Sequence, residues 1–251
     1  MDRIERSKQK YAELFGDGQP SAAATDPDFQ DILSRFIFGE VFYQGTLSDR
    51  QRELITLVVL ATNQTLPQLK AHVGAALKVG LAPVEIKEAI YHTAPYIGFP
   101  KTLNALAQAN EVFKEKNIPL PLESQTRVSE DDRLEKGLAL RLEIFGEGTR
   151  RMIQDAQAGQ AHIQDYLSAF CFGELYTRGG LDLETRELLT LCILCTLGGC
   201  EPQLKDHMRG NLKVGNDKNR IVEAITQCLP YMGFPRTLNA LNCLNEVAPE
   251  K

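Results

Sequence analysis

One segment of this chain occurs twice with almost the same sequence. Residues 95–106, PYIGFPKTLNAL, return as residues 230–241, PYMGFPRTLNAL. The repetition continues upstream in three further pairs of segments: Phe38–Glu40 with Phe172–Glu174, Arg52–Leu54 with Arg186–Leu188, and Pro67–Lys70 with Pro202–Lys205. The period of about 130 to 135 residues is far longer than the roughly 20 to 50 residues of a solenoid repeat. We therefore predict two fused copies of one domain, residues 1–120 and 121–251.

The composition is typical of a folded protein that binds neither nucleic acid nor membrane. Of the 251 residues, 43% are hydrophobic and 24% are charged, and the net charge is -5. Lysine and arginine are scattered singly among acids, so nucleic acid is not an expected partner. No apolar run approaches the roughly 20 residues that cross a bilayer, and the charged start Met1-Asp-Arg-Ile-Glu-Arg does not suit a secretory signal. We expect a cytoplasmic protein.

Both copies predict an all-α fold, because neither contains a strand-like alternation of any length. Helices are predicted in the first copy at residues 2–15, 28–44, 49–63, 67–79, 83–94 and 100–116. The sequence carries the end signals of such helices: a capping box at Ser48 and Gln51, prolines in first turns at Pro67, Pro83 and Pro100, and glycines after helices at Gly80 and Gly215.

Each copy also predicts one helix that is buried on every side. Residues 54–61 and 188–195 are apolar almost all round, which is typical of such a helix. The copies are separated by residues 117–124, where two prolines and polar residues stop one helix. The next helix is expected to begin near Asp131.

A glutamate and a histidine recur together in both copies. Glu53 and Glu187 open the two buried helices, and the helical spacing turns their carboxylates inward. Such a carboxylate either forms an ion pair, with Arg52 or another cation, or becomes a proton donor. His72 and His207 follow one turn into the next helices and also face inward. A buried histidine is often a core residue, yet glutamate and histidine are the usual proton-transfer pair, so both interpretations stay open.

One titratable position differs between the copies, because His92 is replaced by Gln227. Glu88 lies four residues before His92 on the same helical face and is expected to orient it. Glu223 and Gln227 repeat that spacing without the proton chemistry. Either His92 is the third group of a catalytic site, or both side chains hydrogen-bond across a contact between the domains.

All the cysteines belong to the second copy: Cys171, Cys192, Cys195, Cys200, Cys228 and Cys243. A disulfide framework is not expected, since the first copy folds without any cysteine. Cys192 and Cys195 lie within the buried helix, which favours core packing over redox or zinc chemistry. Cys200 instead precedes Pro202 at a helix N-terminus, a position that favours a thiolate, and it is the redox candidate.

Taken together, the recurring motifs resemble the carboxymuconolactone decarboxylase family over nearly the whole chain. The resemblance rests on these segments: Arg52–Leu54, Gln68–His72, Ala75–Gly80, Ile86–His92, Gly98–Pro100 and Leu103–Ala105, and in the second copy Arg186-Glu, His207, Gly215, Gly233–Pro235 and Leu238–Ala240. It implies an all-helical fold shared with the alkylhydroperoxidase D proteins. It also implies a homo-oligomer, a trimer of tandem chains that mimics a hexamer, with sites where subunits meet.

The superfamily implied by this resemblance has two chemistries. Its peroxidase branch needs a C-x-x-C at the start of the helix that carries the histidine, because one cysteine attacks the peroxide and the other resolves it. The aligned positions are Thr65 and Gln68 in the first copy, and Cys200 and Gln203 in the second. Neither copy has the pair.

The decarboxylase branch implies a reaction on a small carboxylated lactone without thiol, metal or other cofactor. The resemblance implies a role for four residues of the first copy: His72 as donor or acid, Glu53 as its partner, His92 as second acid and Arg52 as a carboxylate ligand. Their counterparts in the second copy are His207, Glu187 and Arg186. Two alternatives remain, an alkylhydroperoxidase or peroxiredoxin-like oxidoreductase and a non-catalytic ligand-binding or assembly protein.

Overall fold

The computed structural model describes residues 1–16 and 24–249. The first repeat contains α1 (Arg3–Phe15), α2 (Pro27–Ile37), a 3₁₀ turn (Val41–Tyr43), α3 (Asp49–Asn63), α4 (Leu66–Lys78), α5 (Pro83–Tyr91), α6 (Ala94–Ile97) and α7 (Phe99–Glu115). The second contains α8 (Arg133–Phe145), α9 (Glu147–Gln154), α10 (Ala161–Tyr166), a π segment (Leu167–Tyr176), α11 (Leu183–Leu197), α12 (Glu201–Val214), α13 (Lys218–Met232) and α14 (Phe234–Val247).

The described residues contain no strand, so the all-α prediction is confirmed. No helix in the described part of the chain is long and apolar enough to cross a membrane.

Most of the predicted helices are confirmed to within about three residues, the usual scatter of helix ends. The capping box is present, because the Ser48 hydroxyl accepts from the Gln51 N–H while the Gln51 side chain accepts from the Ser48 N–H. Gly80 and Gly215 follow their helices with φ angles of +88° and +115°. Local signals therefore place these helix ends.

The prediction of one helix over residues 28–44 is wrong. Helix α2 ends at Ile37, and the chain then forms the 3₁₀ turn. The buried guanidinium of Arg52 donates to the carbonyl oxygens of Val41 and Gln44. These contacts satisfy carbonyl groups that a continuing helix would have paired internally.

The two repeats share one hydrophobic core rather than burying two separate ones. Helices α3 and α11 pack against each other, and α13 of the second repeat packs on α3. Leu57 and Leu191 are fully buried in one cluster that combines residues of both repeats. Burying a leucine contributes roughly 1.5 to 3 kcal/mol, so each repeat stabilises the other. The division at residue 120 falls between α7 and α8 and stays a prediction.

Candidate active site

The site in the second repeat begins with an acid that the fold buries completely. Glu187 lies in the second turn of α11, whose start is capped by the Asp182 carboxylate accepting from the Thr185 N–H. The Glu187 side chain is 0% exposed, and its Oε2 lies 3.0 Å from Nδ1 of His207 on α12. The carboxylate therefore fixes Nδ1 and leaves Nε2 of the imidazole available for another contact.

Tyr176 of the π segment occupies the other oxygen of this carboxylate. Its hydroxyl donates to Glu187 Oε1 at 2.7 Å and lies 2.7 Å from Oγ1 of Thr190. Burial and the neighbouring Glu187 raise the pKa of Tyr176 well above its ordinary value. The hydroxyl therefore keeps its proton and stays a donor, so both oxygens of Glu187 have a fixed partner.

The first repeat supplies two further members of this network. The Tyr96 hydroxyl lies 3.1 Å from Thr190 Oγ1 and 3.2 Å from the Tyr176 hydroxyl. His92 Nε2 lies 2.9 Å from Thr190 Oγ1 and 3.1 Å from the carbonyl oxygen of Arg186. Side chains of both repeats are therefore needed to complete one site.

His92 contacts the site of the opposite repeat rather than the glutamate and histidine of its own. Burial and the nearby Arg186 guanidinium lower the pKa of His92 well below its ordinary value, so the ring is neutral near pH 7. A carbonyl oxygen can only accept, so Nε2 carries the proton that it donates to Arg186. The expected contact with Glu88 is not formed, because the Glu88 carboxylate pairs with Arg178 and Arg186 instead.

The first repeat contains the same pair with fewer partners. Glu53 Oε2 lies 2.9 Å from His72 Nδ1, so Glu53 pairs with histidine and not with Arg52. Phe42 stands where the second repeat has Tyr176. Glu53 Oε1 consequently has no hydrogen-bond partner among the described residues.

Gln227 takes the place of His92 beside this first pair. Its Nε2 donates to Thr56 Oγ1 at 3.1 Å, and its Oε1 accepts from Arg52 Nη1 at 3.0 Å. Glu223, one turn earlier, accepts from the backbone N–H groups of Thr46 and Leu47 in the other repeat. These contacts agree with the interpretation that both positions hydrogen-bond across a contact between the repeats.

A cavity of about 800 Å³ lies beside His207, a volume that suits a small organic molecule. Its wall includes Tyr96 from the first repeat, and Arg141 and Phe145 from the second. The Phe145 ring packs edge-on against the imidazole of His207 with 5.1 Å between ring centroids. The first-repeat counterparts of residues 147–152 fall within residues 17–23, which lie outside the described residues.

Comparison with known proteins assigns this arrangement to a family. The family model for carboxymuconolactone decarboxylases matches residues 27–111 and again residues 161–246. The chain belongs to the carboxymuconolactone decarboxylase family. Each repeat is therefore one domain copy of that family, as the sequence motifs indicated.

Three relatives of this carboxymuconolactone decarboxylase family member show how far the likeness extends. The 4-carboxymuconolactone decarboxylase of Acinetobacter baylyi is 32% identical over 131 residues, which are 49% of this chain and 97% of that protein. The nitrosuccinic acid decarboxylase of Metarhizium robertsii is 30% identical over 77 residues, 31% of this chain and 54% of that protein. Peroxisomal protein 2 of Schizosaccharomyces pombe is 21% identical over 143 residues, 56% of this chain and 65% of that protein. The Acinetobacter baylyi protein thus corresponds in length to about one repeat.

The two arginines that were predicted to bind a substrate carboxylate, Arg52 and Arg186, do not line the cavity. Both guanidinium groups are buried and are bound largely by carbonyl oxygens of nearby loops: those of Val41, Gln44 and Leu47 for Arg52, and those of Arg178 and Gly179 for Arg186. In this family member both arginines hold loops at the starts of α3 and α11. Substrate binding by either stays a prediction.

The thiol chemistry expected of Cys200 is not favoured by its surroundings. Its Sγ donates to the carbonyl oxygen of Leu194 at 3.4 Å, and burial and the nearby Glu201 raise the pKa of the thiol. The position at a helix N-terminus therefore does not favour a Cys200 thiolate, contrary to the expectation from the sequence. Burial likewise raises the pKa of Cys171, in the cavity wall, to about 12. Within the described ranges, no group of three His, Cys, Asp or Glu side chains is arranged to hold a metal ion.

Four residues of the site were missed by sequence reasoning: Tyr96, Arg141, Tyr176 and Thr190. Aligning the two repeats position by position would have singled out two of them, since Tyr176 stands opposite Phe42 and Arg141 opposite Tyr11. Tyr96 belongs to the repeated motif itself. Nothing in that motif says that it contacts the site of the other repeat.

Proposed function

We propose that this protein is a cofactor-independent decarboxylase of small carboxylated lactones of the 4-carboxymuconolactone type, with its main active site in the second repeat. The observation that carries the proposal is the Glu187–His207 pair, buried on the glutamate side and bordering a cavity of about 800 Å³ on the histidine side. Relatives named as decarboxylases of 4-carboxymuconolactone and of nitrosuccinic acid support the reaction class.

The proposed reaction breaks one carbon–carbon bond and consumes one proton. A carboxylate leaves as carbon dioxide from the carbon γ to the unsaturated lactone carbonyl. The electron pair of the broken bond delocalises into the ring as a dienolate, and protonation of the dienolate at carbon gives the product. Because the ring is the electron sink, the protein has to supply an acid and to position the substrate.

His207 is the acid in this mechanism. As an imidazolium it donates Nδ1–H to Glu187 Oε2 and carries the transferable proton on Nε2. The buried carboxylate accepts from Nδ1 and keeps the ring in one orientation before and after the proton has left. Water then returns a proton to Nε2 for the next turnover.

Tyr176, Thr190 and His92 are positioning residues in this mechanism. Tyr176 fixes Oε1 of Glu187, which keeps Oε2 directed at His207. Thr190 joins Tyr176 to His92, whose neutral ring donates to the carbonyl oxygen of Arg186. The first repeat lacks this chain of contacts, so we assign Glu53 and His72 a smaller share of turnover.

Matched alanine variants test the proposal. We expect His207→Ala to lower kcat for 4-carboxymuconolactone by at least about 100-fold, the usual contribution of a general acid. His72→Ala is expected to change kcat less than about threefold, because its site has Phe42 and Gln227 in place of Tyr176 and His92. The measurement is carbon dioxide release, with circular dichroism to verify that each variant is folded.

Other outcomes of the same assay point elsewhere. Loss of turnover only in His72→Ala would place the working site in the first repeat. Unchanged turnover in both variants would make the histidines structural. If the native protein releases no carbon dioxide, the proposed substrate is wrong. The activities to test next are then thiol-dependent peroxide consumption and binding of a ligand that is not altered.

A further inference from the structure

Three arginines are among the largest fully buried side chains of the protein: Arg52, Arg141 and Arg186. Arg186 pairs with the Glu88 carboxylate at 3.1 Å. Arg52 donates to three carbonyl oxygens and lies in the field of nearby acids. Arg141 differs, since none of its contacts in the described part of the chain is a carboxylate.

Arg141 contacts neutral groups. Its Nη1 donates to Ser168 Oγ at 3.2 Å, while Nη2 donates to Gln164 Oε1 at 2.7 Å and approaches Met152 Sδ at 3.6 Å. These contacts fix the orientation of the guanidinium without neutralising it. An arginine does not lose its proton near neutral pH, and a buried cation without a counter-ion is costly. The position therefore favours an anion that the described residues do not supply.

The position of Arg141 in the fold indicates where such an anion would bind. Arg141 is part of the wall of the cavity that also contains His207. It precedes Phe145 by one turn of α8, and the Phe145 ring packs on that histidine. The first repeat has Tyr11 at the equivalent position. The buried cation without an acid partner among the described residues thus occurs in the repeat where Tyr176 and His207 occupy both oxygens of Glu187.

We propose that Arg141 binds a substrate carboxylate that is retained through the reaction, so that the substrates are small acids with two carboxylate groups. The retained position follows from the charge changes of the proposed decarboxylation, on which this part of the inference rests. A departing carboxylate becomes neutral carbon dioxide, and a guanidinium bound to it would stabilise the starting state more than the transition state. A carboxylate that stays charged throughout is held equally in both.

The test combines kinetics with binding of an unreactive diacid. We expect Arg141→Met to raise KM for 4-carboxymuconolactone, and the dissociation constant of succinate, by about ten- to hundredfold, because a charge-assisted pair of hydrogen bonds is lost. The expected change in kcat is below about threefold, since ground state and transition state lose the same contact. Arg141→Lys, which keeps the charge but not the planar fork, should lie between.

The matched control is Arg209→Met, at an exposed arginine of the same cavity wall that already pairs with Asp206 at 2.9 Å. It is expected to change succinate binding less than twofold. Unchanged KM and succinate binding in folded Arg141→Met would overturn the inference while leaving the decarboxylase proposal intact. Absence of turnover together with Arg141-dependent succinate binding would support the carboxylate site and overturn the decarboxylase proposal.

If Arg141→Met does not fold, the inference is tested in the native protein by comparing the binding of succinate with that of its dimethyl ester. Succinate should then bind at least about tenfold more tightly than its neutral dimethyl ester, because only the acid can pair with a guanidinium. Equal binding of the two compounds would overturn the inference.

Discussion

At the scale of single residues, His92 and Gln227 occupy equivalent positions of the two repeats, and each lies beside the Glu–His pair of the opposite repeat. Each side chain hydrogen-bonds to a threonine of the opposite repeat, Thr190 or Thr56. The histidine adds a titratable group to a place that is fully buried. Complete burial and the neighbouring Arg186 guanidinium both disfavour a positive charge on this ring.

His92→Gln is expected to make the protein less sensitive to acid. The pKa of His92 is lowered in the folded protein, whereas in the unfolded chain it is about 6.5. Below that pH the unfolded state binds a proton that the folded state does not, so the free energy of unfolding falls as pH falls, by up to about 1.4 kcal/mol per pH unit. Glutamine removes this contribution and already occupies the equivalent site in the other repeat.

Urea unfolding at a series of pH values between about 7.5 and 5 measures this effect. The exposed His162, changed to glutamine, is the control variant. An acid dependence of His92→Gln equal to that of the native protein would contradict the prediction.

At the scale of helices, the candidate site of the second repeat depends on how closely α8 approaches the π segment. Helix α8 carries Arg141 and Phe145, and the π segment carries Tyr176. Gly173 lets the two elements touch, because a Cβ atom there would overlap the carbonyl oxygen of Arg133. The same device recurs in the first repeat at Gly39, whose Cβ would overlap the carbonyl oxygen of Arg3.

Gly173→Ala is expected to destabilise the protein by about 1 to 3 kcal/mol, because two backbones must separate to admit one methyl group. It should also lower turnover, since Tyr176 moves away from the side chains of α8. Gly74→Ala is the matched control. A Cβ at Gly74 meets nothing within 4 Å, and alanine in a helix interior is favoured over glycine by about 1 kcal/mol.

Urea unfolding and steady-state kinetics compare the two glycine variants. Equal free energies of unfolding for Gly173→Ala and the native protein would show that α8 and the π segment can separate without cost.

At the scale of the whole molecule, large apolar side chains remain exposed at equivalent positions of both repeats. Four pairs are each more than half exposed: Phe29 with Ile163, Ile32 with Tyr166, Phe99 with Phe234, and Leu103 with Leu238. Exposed apolar patches of this kind usually mark an interface. We propose that these surfaces join copies of the chain in a homotrimer, in which six repeats form one ring.

Light scattering after gel filtration tests this assembly. The native protein is expected to have three times the mass of one chain, and the double variant Phe99→Glu, Phe234→Glu the mass of one, because buried charges disfavour the interface. Leu212→Glu, at an exposed leucine outside the paired positions, should leave the mass unchanged. A native protein that elutes as a single chain at micromolar concentration would exclude the trimer.

Much of the fold could be predicted from local signals. The capping box at Ser48 and the glycines that follow helices act within a few residues, so they can be recognised without tertiary structure. The helix predicted over residues 28–44 failed because its end is decided by Arg52, a residue in the next helix. Contacts of that kind leave no local pattern in the sequence.

The sequence by itself determined the duplication, the helical class and the recurrence of the Glu187–His207 and Glu53–His72 pairs, because each of these is a matter of spacing within one repeat. Tertiary structure decided which repeat His92 serves, which oxygen of Glu187 Tyr176 occupies, and that Arg141 has no acid partner in the described part of the chain. The physical reason is that α3, α11 and α13 pack across the two repeats in one core. Side chains about 100 residues apart meet there, and only the packing fixes their distances.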